Sequence, residues 1–88
     1  MDLRCVNLRC ADLQGANLEG VNLEWTNLQG AKLEDTNLRG TDLNGSNLQW
    51  ANLEWTNLQG ADLYNANLKG VKITKQQLDQ LTVIEGDE

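Results

Sequence analysis

The chain has 88 residues, with 13 acidic and 7 basic side chains, no histidine, no proline and a net charge of −6. That length allows one domain, and the missing histidine excludes imidazole acid–base chemistry and imidazole metal ligation. The acidic balance excludes strong attraction for nucleic-acid phosphates, and no apolar run is long enough to cross a membrane. Half of the charge lies in the repeats and half beyond them: residues 1–73 hold nine acids and six bases, and residues 74–88 hold four acids and Lys75.

The first element is an array. Leucine stands at Leu3, Leu8, Leu13, Leu18, Leu23, Leu28, Leu33, Leu38, Leu43, Leu48, Leu53, Leu58, Leu63 and Leu68, always five residues apart, and Ile73 continues the series. On an α-helix five residues advance about 500°, so successive leucines step round by about 140° and form no stripe. On a flat strand an odd spacing puts successive leucines on opposite faces. The series shares one side only if the backbone turns once per repeat. This predicts a closed, stacked solenoid with a leucine spine.

The other positions of the unit agree. Two residues before each leucine from Leu8 to Leu68 the side chain is small or β-branched, as at Val6, Ala11, Thr26, Ser46 and Ala61. Residues two apart in an extended segment face the same way, so this residue joins the leucine inside. The residue between them is Asn or Asp in most units and faces out. The last position is Gly at Gly15, Gly20, Gly30, Gly40, Gly45, Gly60 and Gly70, where a tight corner with positive φ is expected. One decapeptide occurs at 22–31 and again at 52–61. A shift of thirty residues makes the pentapeptide the interchangeable unit.

Units of the form A-(D/N)-L-x-x in unbroken tandem resemble the pentapeptide-repeat proteins, and the resemblance covers residues 1–73. It implies an all-β fold, a right-handed quadrilateral β-helix with four pentapeptides per coil. At that number the chain makes just under four coils.

In chain order, the N-terminal coil starts without a cap: Asp2 and Leu3 already occupy repeat positions. Either two chains meet there as a homodimer, or the chain belongs to a longer one. No leader precedes the repeats, so the cytoplasm is the default location. Cys5 and Cys10 occupy successive corners. Adjacent corners are too far apart for a disulfide, and two thiols make a poor zinc site. They read as free surface thiols or as an intermolecular bridge at the open end.

Trp25, Trp50 and Trp55 also occupy corner positions. They read either as an oblique aromatic band for a protein partner, extended by Tyr64, or as indoles lying flat on neighbouring glycine corners. The asparagines at 7, 27, 47 and 67 recur at twenty. They predict an amide ladder between coils, with bonds to the turn backbone.

After Ile73 the pattern breaks. Thr74 followed by Gln77 is a capping-box spacing, and Leu78 and Leu81 then share a helical face. A C-terminal cap is predicted over 74–84, with a short helix at about 75–81 covering the last coil. The alternative is a sixteenth pentapeptide centred on Leu78. Residues 85–88 read as a disordered tail.

No constellation supports catalysis, a cofactor or a metal. Ser46, the only serine, sits at an inward position as packing. The carboxylates are scattered and outward, without the apolar surroundings that raise a pKa. The glycines recur as corners, not as a phosphate-cradling fingerprint. The predicted function is a non-catalytic interaction scaffold with an unidentified protein partner. The resemblance adds a mimic of duplex DNA that binds topoisomerases, though this array is short and mildly charged for that. A third reading is a fragment or idealised repeat array without separate activity.

Overall fold

The structure, a computed structural model, describes residues 2–74 and Gln77. Each unit turns by the same device. The N–H of the residue after the corner donates to the leucine carbonyl three residues earlier, as Ala11 does to Leu8 and Ala31 to Leu28, both at 3.0 Å. Every corner from Cys5 to Gly70 has positive φ, between 59° and 75°. Positive φ confined to the second central residue is the mark of a type II turn. Seven of these corners are glycine and seven are not.

Coils stack in parallel with a register of twenty. Asp2 pairs with Asn22, Asn22 with Asp42 and Asp42 with Asp62, and the other sides repeat the offset up to Lys72. A coil therefore holds four pentapeptides. The ladder at each pairing is regular: Leu8 N–H donates to the Asn27 carbonyl at 2.7 Å, and Asn27 N–H donates to the Val6 carbonyl at 3.0 Å. The corner adds a further bond, from Cys10 N–H to the Gln29 carbonyl at 2.8 Å. Neighbouring coils thus satisfy each other's backbone, as burial requires.

The outward Asn or Asp has a structural task. Its Oδ1 accepts the N–H two residues on, as Asn7 does from Arg9 at 3.1 Å and Asn47 from Gln49 at 3.0 Å. Short polar side chains make this bond, which holds the chain at the start of the turn. Among the described residues no side-chain bond joins Asn7 to Asn27, Asn27 to Asn47 or Asn47 to Asn67. The ladder expected from their spacing is replaced by these backbone bonds, one within each unit.

The spine is driest in the middle. Leu23 through Leu63 are all buried, none above 2% exposure. Leu3, Leu8, Leu13, Leu18, Leu68 and Ile73 are half-buried against them. Among the described residues each of these has a spine neighbour on one axial side only. Burying a leucine fully is worth about 1.5–3 kcal/mol, so the inner coils carry most of the stabilisation.

Beside the leucines runs a second inward column, buried from Val21 to Ala61. Its threonines satisfy their hydroxyls on backbone. Thr26 donates to the Leu3 carbonyl at 2.9 Å, Thr36 to Leu13 at 2.8 Å and Thr56 to Leu33 at 2.6 Å. Ser46 occupies the same column, and its hydroxyl is buried without a partner.

At the C-terminal end Thr74 and Gln77 form the reciprocal bonds of a capping box. Gln77 N–H donates to Thr74 Oγ1 and Thr74 N–H to Gln77 Oε1, both at 3.1 Å. Apart from Gln77, the expected helix at 75–81 and the tail at 85–88 lie outside the described residues.

Candidate interaction surface

The register of twenty sorts the corners into four edges. Cys5, Trp25, Gly45 and Asn65 share one edge. Cys10, Gly30, Trp50 and Gly70 share the next, and Gly15, Asp35 and Trp55 the third. The fourth, among the described residues, is all glycine, at Gly20, Gly40 and Gly60. The three tryptophans therefore stand on three different edges. Trp25 and Trp50 bound one side of the rod, Trp50 and Trp55 the next, and Trp50 belongs to both.

Each tryptophan sits in the left-handed backbone region, with φ of 60° at Trp25 and 66° at Trp50 and Trp55. For an L-residue with a bulky side chain that region costs about 1–2 kcal/mol, a cost that glycine avoids at neighbouring corners. The indoles remain 60%, 57% and 71% exposed, so burial offsets little of it.

Two of the rings lean along the axis onto the corner above. A Cβ added at Gly45 would run into the six-membered ring of Trp25, and one at Gly70 into that of Trp50. One face of each indole is thus laid on a glycine and the other is open. Cys10 leans the same way, with its Sγ 3.3 Å from the Cβ site of Gly30. Both cysteines are exposed free thiols. The corner above Trp55 lies outside the described residues.

Tyr64 is not a corner residue. It precedes the Asn65 corner, two coils above Glu24, and is 44% exposed. Below Trp25 a shallow open depression of about 430 Å³ is lined by Asp2, Arg4, Cys5, Glu24 and Trp25. There Arg4 clamps Asp2 through two guanidinium nitrogens, Nε at 3.0 Å and Nη2 at 2.7 Å. These bonds, joined by the Arg4 backbone N–H, pull the Asp2 carboxyl down from 3.8 to about 2. The same pairing raises the Arg4 guanidinium. On another side Arg39 reaches Glu19 at 3.5 Å.

Trp25 and Trp50 thus lie flat on glycine corners, one of the two arrangements expected of them, and the register decides which glycine each one meets. The available signal was a glycine twenty residues after each: Gly45 and Gly70. Among the described residues no three metal-ligating side chains converge, and no helix is long and apolar enough to cross a membrane.

The family model for pentapeptide repeats matches residues 2–45 and 46–80, in eight copies. The fold is similar to that of a pentapeptide repeat protein from the Arabidopsis thaliana thylakoid lumen, with a TM-score of 0.81 and 26% identity over 94% of this chain and 53% of that one. It also matches a pentapeptide repeat protein of Nostoc, with a TM-score of 0.48 and 32% identity over 98% of this chain and 77% of that one. A third match is HetL of Nostoc, described as involved in heterocyst differentiation regulation, with a TM-score of 0.41 and 40% identity over 81% of this chain and 38% of that one. The chain spans about half the length of the Arabidopsis protein. No curated protein matches it.

Proposed function

The chain belongs to the pentapeptide-repeat family, and on that premise we propose that it is a non-catalytic scaffold that binds a protein partner through Trp25, Trp50, Trp55 and Tyr64. The rod in this reading is a right-handed quadrilateral β-helix of just under four coils, closed at its C-terminal end by the short helix at 75–81. Its role is to hold side chains at fixed spacing on flat sides.

The observation that supports this reading is the backbone at the tryptophans. Three bulky residues occupy left-handed corners where glycine serves equally well for the turn. Strain kept at exposed positions points to a use for the side chain beyond folding. Tryptophan supplies large, rigid contact area and is enriched where binding energy concentrates. With one face of Trp25 and Trp50 fixed on glycine, the open face is pre-oriented, which lowers the entropy lost on binding.

The test is affinity capture with the wild-type chain beside a Trp25→Ala, Trp50→Ala, Trp55→Ala variant. Loss of specific partners from the variant supports the aromatic surface, and an identical partner set removes it. A gyrase supercoiling assay separates the duplex-mimic reading. Inhibition or protection by the protein would put that reading ahead of the scaffold.

A further inference from the structure

The four sides of the rod differ in charge. One side, bounded by Trp25 on one edge and Trp50 on the other, carries the column of four asparagines with Arg9, Gln29, Gln49 and Lys69 beside it. Among the described residues it has no carboxylate at any position. The side across the Trp25 edge is its opposite, with Asp2, Glu24, Asp42 and Asp62.

The asparagines of this side are oriented by the backbone. Asn7, Asn27, Asn47 and Asn67 each use Oδ1 to accept the N–H two residues on, at 3.0–3.1 Å. With one lone pair of each oxygen committed, the NH₂ group of each keeps both of its N–H donors. The column therefore presents an uncharged amide donor group in every coil, about 4.8 Å apart. Arg9 and Lys69 add a cation at each end, and both are exposed. The glutamines can turn either end of the amide outward.

We propose that this side docks an acidic, extended segment of a partner protein. The inference rests on the scaffold reading and names the chemistry of its partner. Carboxylates of the segment accept from the asparagine NH₂ groups and from Arg9 and Lys69, while Trp25 and Trp50 flank it. The column is about 15 Å long, the span of four or five extended residues. A single strand fits within one side. A nucleic-acid duplex is broader and would meet Glu24, Asp42 and Asp62 across the Trp25 edge, where like charges repel.

The experiment is fluorescence anisotropy of a labelled deca-glutamate peptide at low ionic strength, where surface charges are least screened. The decisive variant is Asn27→Asp with Asn47→Asp. It keeps the turn, because Asp42 and Asp62 already make the same backbone bond at 3.0 Å. It replaces two donors by two anions. The control is Asn37→Asp with Asn57→Asp on the far side of the rod, which adds the same charge. The expected result is binding weakened about tenfold or more by the first pair and left near wild type by the control.

Equal weakening by both pairs would reduce the effect to net charge and overturn the inference. So would tighter binding of a labelled DNA duplex than of the peptide. If wild type ignores the peptide but still captures partners through its tryptophans, the acidic-segment inference fails and the scaffold reading stands. If tryptophan-dependent capture is absent while the peptide still binds and shows this contrast, the donor side stands and the aromatic surface fails.

Discussion

Gln77 closes the end of the stack on Leu53: its Nε2 donates to the Leu53 carbonyl at 2.6 Å. The same nitrogen donates to the Thr56 carbonyl at 2.7 Å, and Gln77 Oε1 accepts Trp55 N–H at 3.1 Å. One coil lower these tasks are divided. Leu33 receives the Thr56 hydroxyl, and Thr36 receives Asn57 N–H at 3.0 Å. On another edge, Trp25 N–H goes to the Asn44 carbonyl at 3.0 Å. A single primary amide, with donors and acceptor in one plane, replaces a threonine hydroxyl, a backbone N–H and a backbone carbonyl of a further coil.

Gln77→Ala is therefore expected to be costly. It leaves the Leu53 and Thr56 carbonyls and the Trp55 and Thr74 N–H groups without partners, and each such group, where buried, costs about 1–3 kcal/mol. Partial rehydration at the end of the rod lowers the sum, so a loss of about 2–4 kcal/mol is expected in denaturant unfolding. A loss below about 0.5 kcal/mol would mean that water fills the role as well.

Gly45 and Trp25 form a coupled pair. Gly45→Ala places a Cβ inside the Trp25 ring and puts alanine in the left-handed region, for an expected loss of about 2–3 kcal/mol. In a Trp25→Ala background only the backbone part of about 1 kcal/mol should remain. Gly20→Ala, where the Cβ meets open space, supplies the same backbone baseline. A double-mutant cycle with no coupling would show that the indole moves aside freely.

Ser46 and Thr26 occupy the same column in successive coils with opposite bonding. Thr26 donates to a carbonyl, while the Ser46 hydroxyl has no partner. Ser46→Ala should raise stability by about 1 kcal/mol, because an unpaired buried hydroxyl is removed. Thr26→Ala should lower it by about 1–2 kcal/mol. Thermal midpoints that move in the same direction for both variants would contradict this account.

Asp2 gives the clearest acid titration. Its folded value of about 2 lies below the ordinary 3.8. A depressed carboxyl stabilises the fold above its unfolded value and loses that contribution as pH falls through the folded one. The Asp2–Arg4 contribution is thus complete above pH 3.8 and disappears as the pH falls to about 2. Carboxyl-carbon NMR should show the low midpoint in the wild type and a rise toward the ordinary range in Arg4→Ala. An unchanged midpoint in that variant would remove Arg4 as the cause.

The capping box at Thr74 and Gln77 was legible as a three-residue spacing, since both partners lie in one turn of chain. The use of the Gln77 side chain was not. Its partners Leu53, Trp55 and Thr56 are more than twenty residues away, and only the stacking register brings them under it. The amide ladder failed for a related reason. Asn27 and Asn47 do share a column, but each oxygen finds a backbone N–H within its own unit first.

By itself the sequence determined that the backbone turns once in five residues, with Leu23 to Leu63 inside and the corner residues out. Steric rules for helices and strands leave no other way to give a period of five one interior. The tertiary structure decided which corners stand above one another. That set Trp25 on Gly45 and Trp50 on Gly70, put an uncharged asparagine column beside an acidic side, and left Ser46 without a partner. Such neighbours are related by twenty residues, and contacts at that distance exist only once the hydrogen bonds between coils have selected their register.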